Sequence, residues 1–280
     1  MKTILVPTDF SETGTNAVNY AAELAELTKS KLVLLHVYHV PVIIPNAVDV
    51  AEDIQLEEKS NEQLKLIAES ITKKPGKILQ VEYLSTPGFA SDEIIELSKE
   101  KNCDLIVMGA QRARAGDINK FFGSNTVEVM KRSQCPVLII PDKAKFQKID
   151  KILFAADYIV IKNESVFDPL LEIAALFDSE ILVFNMDDSR VHPTFAEVVE
   201  EEAKLEYTFR NLKHSYWFSE HKNIVDAINQ FADANHAVMI TMIKRHHNLF
   251  REIFAESTTK QMTFCPHFPL LILQEQAKDK

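Results

Sequence analysis

Residues 103–125 read CDLIVMGAQRARAGDINKFFGSN: an apolar run ending at Gly109, a basic stretch, then Gly123-Ser124-Asn125. These residue types suit an oxyanion. A glycine lets backbone come close to a ligand, the first N–H groups of a helix carry partial positive charge, and a serine hydroxyl adds a donor. Asp9, which follows the apolar run TILVP, can accept hydrogen bonds from a ribose or a base. With Thr8 beside Asp9, Val37 at the end of KLVLLHV and Met108 before Gly109, these residues form a candidate nucleotide cradle. Each piece also has a structural reading, because Gly-Ser before a helix and Asp after a strand are common turn and cap residues. The argument for a ligand is that several pieces converge on one edge of one sheet.

The elements that must hold this cradle repeat along the chain. KTILVPTDF (2–10) returns as DKILFAADY (150–158), and SKLVLLHVY (30–38) as SEILVFNMD (179–187). CDLIVMGAQRA (103–113) returns as HAVMITMIKRH (236–246), and CPVLIIP (135–141) as FPLLILQ (268–274). Order is kept, so the chain reads as two copies of one pattern, over 1–143 and 149–280, joined through the charged stretch PDKAKFQKID. The second copy is shorter between its second and fourth strands, and part of the surplus in the first is HVPVIIPNAVDV (39–50). Short apolar runs have the length and branching of strands buried on both faces. Amphipathic stretches at 11–28, 51–71 and 91–100 read as helices between them. Strands alternating with helices predict α/β domains, each a doubly wound parallel sheet of five strands. In such sheets ligands bind outside the carboxyl ends of the strands, where the winding reverses.

The chain's 280 residues, 46% of them apolar, can supply a core for each copy. A net charge of −10 repels polyanions, so no nucleic-acid partner is expected. No membrane span and no secretory signal are read, and a cytoplasmic location is expected. Cys103, Cys135 and Cys265 lie in apolar contexts with no close pair, which suits buried thiols rather than a disulfide or a metal site.

VPTDFSE, LLHV, DLIVMG, GSNTVEVM and CPVLIIP, in this order and spacing, resemble the universal stress proteins in a tandem two-domain arrangement. The resemblance implies a fold with strand order 3-2-1-4-5 and pairing through the last strands, within a homodimer or within one chain. It also implies, for some members, ATP bound by a glycine, two residues, a second glycine, nine residues, and a third glycine followed by Ser or Thr. Carried over, Asp9 takes the adenosine position, Val37 the residue whose backbone meets the base, Gly109 the first glycine, and Gly123 with Ser124 the closing pair. The nucleotide-binding set is then Thr8, Asp9, Val37, Met108, Gly109, Arg112, Gly123, Ser124 and Asn125. The motif's second glycine is replaced by Arg112, the following loop is one residue longer, and Gly116 is displaced. Arg112 and Arg114 either supply bidentate phosphate contacts or form a solvated basic loop.

All six glycines lie in the first copy, so 124–280 cannot build a glycine-lined phosphate loop. Met242 stands where Gly109 does and Glu256 where Gly123 does, while Asp157 and Ser257 keep the places of Asp9 and Ser124. In KRHHNLFREIF (244–254), His246 and His247 are adjacent and point apart, so a basic surface is preferred to a metal site. The apolar loop 39–50 is read as an interface segment, or alternatively as a lid. His36 is expected to be a hydrogen-bonded structural residue. No nucleophile–base or acid–base constellation is assembled, so no catalytic residue is assigned and no metal is expected beyond nucleotide-associated magnesium. The reading is an ATP-binding regulatory module with unknown protein partners. Its rivals are a nucleotide-independent interaction scaffold and a slow ATPase.

Overall fold

TILVP forms strand β1 (Thr3–Pro7), and its central Ile4, Leu5 and Val6 have no exposed surface, as a strand covered on both faces requires. The chain then alternates: α1 (Glu12–Thr28), β2 (Lys31–Tyr38), α2 (Val50–Thr72), β3 (Val81–Pro87), α3 (Ala90–Glu100), β4 (Leu105–Ala110), α4 (Ser124–Arg132) and β5 (Val137–Pro141). The computed structural model describes residues 1–39, 50–73, 78–110, 123–156, 161, 163–186, 194–219, 224–244 and 267–275, with backbone alone at 50–54, 186 and 224. These residues divide into two compact units, with the seam between Phe146 and Gln147. Among them no helix is long and apolar enough to cross a membrane.

The first unit's strands are all parallel, in the order β3-β2-β1-β4-β5. The β1–β4 pair, where the winding reverses, is pinned at its start by Asp104, whose Oδ2 accepts from the backbone N–H groups of Lys2 (2.6 Å) and Thr3 (2.9 Å). α1 forms because Ala17, Val18, Ala21, Leu24 and Ala25 recur on one face and are buried, while Ser11 caps its start and Lys29, in the left-handed region at φ 55°, ends it. Burying a side chain such as Leu24 stabilises by about 2 kcal/mol. Asn16 on α1 donates to the carbonyls of Pro141 (3.0 Å) and Ala144 (2.9 Å), which ties down the chain beyond β5. The apolar run that ends at Gly109 forms β4, and Gly109 lies inside the strand, paired with Ile140.

The second unit repeats the plan with β6 (Lys151–Ala156), a 3-10 turn (Glu164–Phe167), α5 (Asp168–Phe177), β7 (Glu180–Met186), α6 (Phe195–Phe209), β8 (Lys213–Ser219), α7 (Ile224–Ala234), β9 (Met239–Lys244) and β10 (Leu270–Gln274). Its strands are also parallel, in the order β8-β7-β6-β9-β10. α2 has 23 residues and α6 has 15, so a longer helix accounts for part of the first copy's surplus between its second and fourth strands. Residues 40–49 lie outside the described residues.

Phe154, Phe167 and Phe209 form an aromatic cluster within the core of the second unit. Their rings meet edge to face at 5.3 Å (Phe154–Phe167 and Phe167–Phe209) and 6.1 Å (Phe154–Phe209), and none is more than 2% exposed. Phe209→Ala should destabilise the protein by about 3–5 kcal/mol through the cavity it leaves. Urea denaturation followed by circular dichroism measures this, and a loss below about 1 kcal/mol would show that the cluster is not part of the core as described here.

Candidate functional site

The turn from β1 into α1 is built by a short relay. Thr8 is buried, its N–H donates to the Leu35 carbonyl (2.8 Å), and its Oγ1 accepts from the Phe10 N–H (3.1 Å). Asp9 is exposed, and its Oδ1 accepts from both the N–H (3.0 Å) and the hydroxyl (2.5 Å) of Ser11. Ser11 Oγ in turn accepts from the Gly14 N–H (3.1 Å), so Asp9 holds the cap of α1 through Ser11. Phe10 turns the chain with φ 64°, a strained value for a residue with a side chain, and its ring lies 4.3 Å from that of His36. His36 Nδ1 donates to the Thr8 carbonyl (2.8 Å), which fixes the ring tautomer and joins the ends of β1 and β2. Val37 follows in β2, half-buried and paired with Thr86.

Gly14 has a role that the sequence reading missed. A Cβ there would lie 2.8 Å from Asp9 Oδ1 and 3.0 Å from Thr8 Oγ1, so its absence makes room for both side chains. The signal available was the spacing TDFSETG, in which a glycine sits in the first turn of a helix where a better helix former is normally favoured.

The two glycines of the candidate motif differ. A Cβ on Gly109 would lie 2.6 Å from the Thr13 carbonyl oxygen and 2.8 Å from Thr13 Cγ2. The bare backbone at 109 therefore seats α1 on β4, and the expectation that it admits a ligand gives way to a packing role. Met108, beside it, is buried and paired with Ile139. Gly123 is the reverse case. It is the N-cap of α4 with φ 70° and ψ 149°, and nothing lies within 4 Å of the place a Cβ would take. Among the described residues no side chain caps α4; no acid stands in its first turn, and Lys131 and Arg132 lie in its last turn. Ser124 and Asn125 are exposed in that first turn. Among the described residues, the end of α4 that carries partial positive charge thus has neither a carboxylate nor a capping hydroxyl on it.

The structure brings Thr8, Asp9, Val37, Met108 and Gly109 to the carboxyl edge of β1, β2 and β4, where the winding reverses. Gly123, Ser124 and Asn125 begin the helix that follows β4. Arg112, Arg114 and Gly116 lie outside the described residues, as do Asp157, His246, His247, Glu256, Ser257 and Cys265. In the second unit the strand register corrects the expectation for Met242: Ile243, buried in β9 and paired with Leu273, stands where Gly109 pairs with Ile140, so a side chain occupies the position that is bare in the first unit. Among the described residues, no group of three or more His, Cys, Asp or Glu side chains could hold a metal ion. Burial, reinforced by Asp104, pushes the Cys103 thiol up to about 11; burial also raises Cys135, whose Sγ donates to the Cys103 carbonyl (3.0 Å). Both are therefore unreactive as thiolates at neutral pH.

The sequence profile described as the Universal stress protein family matches residues 1–141, half of the chain. The chain belongs to the universal stress protein family. A universal stress protein of Methanocaldococcus jannaschii is 28% identical over 158 residues, which cover 51% of this chain and 96% of that one. Another, from Bacillus subtilis, is 30% identical over 145 residues, covering 49% of this chain and 97% of its own. The crystal structure of a universal stress protein from Archaeoglobus fulgidus covers 98% of both chains with a TM-score of 0.73 at 18% identity, a likeness of fold. Two units of this fold in one chain are thus found in another solved structure.

In this universal stress protein the contrast between the glycines is testable without any ligand. Gly109→Ala should cost about 1–3 kcal/mol of stability in urea denaturation, because backbone rather than a flexible side-chain end must yield to the new methyl. A variant as stable as the parent would contradict the packing role.

Proposed function

We propose that this universal stress protein binds an adenine nucleotide, ATP, at the carboxyl edge of its first unit, and that it acts as a nucleotide-responsive binding module rather than a dedicated catalyst. One observation carries the reading. Gly123 holds a positive φ at the start of a helix that, among the described residues, no side chain caps and no atom crowds at the Cβ position. That arrangement leaves backbone N–H groups and the hydroxyl of Ser124 for phosphate oxygens. Asp9 and Val37 would take the ribose and the base. Because Asp9 Oδ1 is already engaged by Ser11, Asp9 contributes as an acceptor fixed in place. Bound ATP would supply a polyphosphate whose presence or absence the protein reports to partners. No residue in this reading moves a proton or attacks phosphorus.

The rival, a nucleotide-independent scaffold, is favoured by a different observation. Gly109 and Asp9 are each accounted for by packing and capping alone. The second unit is assigned no nucleotide, since residues 124–280 contain no glycine to start a helix as Gly123 starts α4.

Isothermal titration with magnesium ATP separates the two. The parent should give saturable heats with a Kd on the order of micromolar, and Gly123→Glu, which sets a carboxylate where phosphate would lie, should weaken binding by about a hundredfold or more. Circular dichroism spectra of parent and variant should coincide. Equal heats from both, or none from the parent, would support the scaffold.

A further inference from the structure

α6 carries two stripes. Glu201, Leu205 and Phe209 are buried and seat the helix, with Glu201 accepting from the Ile161 N–H at 2.9 Å. The other stripe, Val199, Glu202, Ala203 and Glu206, recurs at helical spacing and lines a cavity of about 440 Å³ with Tyr216 and Phe218 of β8. Large apolar groups stand in water along it: Phe195 is 85% exposed, Phe218 60% and Val199 46%. β8 is the last strand of its sheet, and its outer edge has no strand partner among the described residues. The rim is acidic. Glu206 is bonded by His214 (2.9 Å), which holds its carboxyl below the usual range, so it is charged at neutral pH.

We propose that this groove between α6 and β8 docks an extended segment of another protein, one that carries an arginine or lysine among apolar side chains. The proposal stands apart from the nucleotide reading and does not depend on it. Charge sets the sign of the partner, because a carboxylate partner would meet Glu202 and Glu206. A guanidinium can pair with these acids while its plane lies against the rings of Tyr216 and Phe218. Length favours a peptide over a small molecule. From Phe195 to Glu206 the face of α6 runs about 16 Å, and the open edge of β8 offers backbone groups for strand addition alongside it. The exposed aromatics then gain the burial that the isolated unit denies them.

Fluorescence anisotropy with a labelled decapeptide of arginine and leucine, and with a counterpart in which glutamate replaces arginine, tests the proposal on the full chain. The basic peptide should bind and the acidic one should not. Glu202→Lys/Glu206→Lys and Phe218→Ser should each weaken binding by about tenfold or more, with unchanged circular dichroism spectra. Glu57→Lys/Glu58→Lys, the same charge change at exposed positions of α2, should leave binding unaltered. No binding of the basic peptide, or equal weakening by both double variants, would overturn the proposal, the latter by reducing it to general attraction toward an acidic chain. Sedimentation velocity adds the remaining outcome. If the parent is dimeric and Phe218→Ser makes it monomeric, a second copy fills the groove and the proposal falls.

Discussion

Strands β1 and β4 lie side by side and parallel, yet the chain leaves them in opposite directions, β1 toward β2 and β4 toward β5. Right-handed crossovers then send the following helices to opposite faces of the sheet, and a gap opens between the two loops at its carboxyl edge. Every feature of the candidate site depends on this reversal. Asp104 fixes the two strands at one end, and at the other the missing Cβ of Gly109 lets α1 come down against β4. The β1–α1 turn can then hold Thr8 and Asp9 in place, because Gly14 leaves room for them.

Within that frame the residues divide by what satisfies them. Thr8, Asp9, Ser11 and His36 are bonded to one another or to nearby backbone, and their arrangement needs no ligand to explain it. Gly123 differs, since its φ is positive and, among the described residues, nothing lies within 4 Å of the place its Cβ would take. A rigid, self-satisfied turn and an uncapped helix start are complementary requirements of a preorganised anion site, in which little ordering cost remains for binding. The second unit keeps the sheet order while burying Ile243 in β9 at the register position of Gly109, so one topology supports two different local surfaces. Its exposed chemistry has moved to the outer edge, where α6 and β8 leave aromatics and acids beside a cavity.

Strands buried on both faces were legible because such burial forces continuous apolar runs: TILVP, KLVLLHV and PVLII became β1, β2 and β5 with ends shifted by a residue or so. Strands β3 and β8 were not, because VEYLSTP and KHSYWFS are half-buried or exposed at every position and carry no such run. Helices α1, α2 and α3 followed from apolar spacing and, for α1, from the capping Ser11. At the site, residue types alone could not tell the two glycines apart. A glycine needed for helix packing and one needed for a positive φ look the same in a sequence, and only the position of Thr13 separates them. Gly14 escaped notice for the same reason, because the atoms it makes room for belong to a turn whose path the sequence does not specify.

The account rests on the start of α4 being an anion site, and the amide NMR spectrum of the isotope-labelled chain during titration with ATP tests that directly. Saturable shifts should appear at the N–H groups of Ser124 and Asn125 and extend to Asp9 and Val37, with Met242 and its neighbours in β9 unmoved. Shifts confined to the second unit, or a spectrum that ATP leaves unchanged, would contradict it.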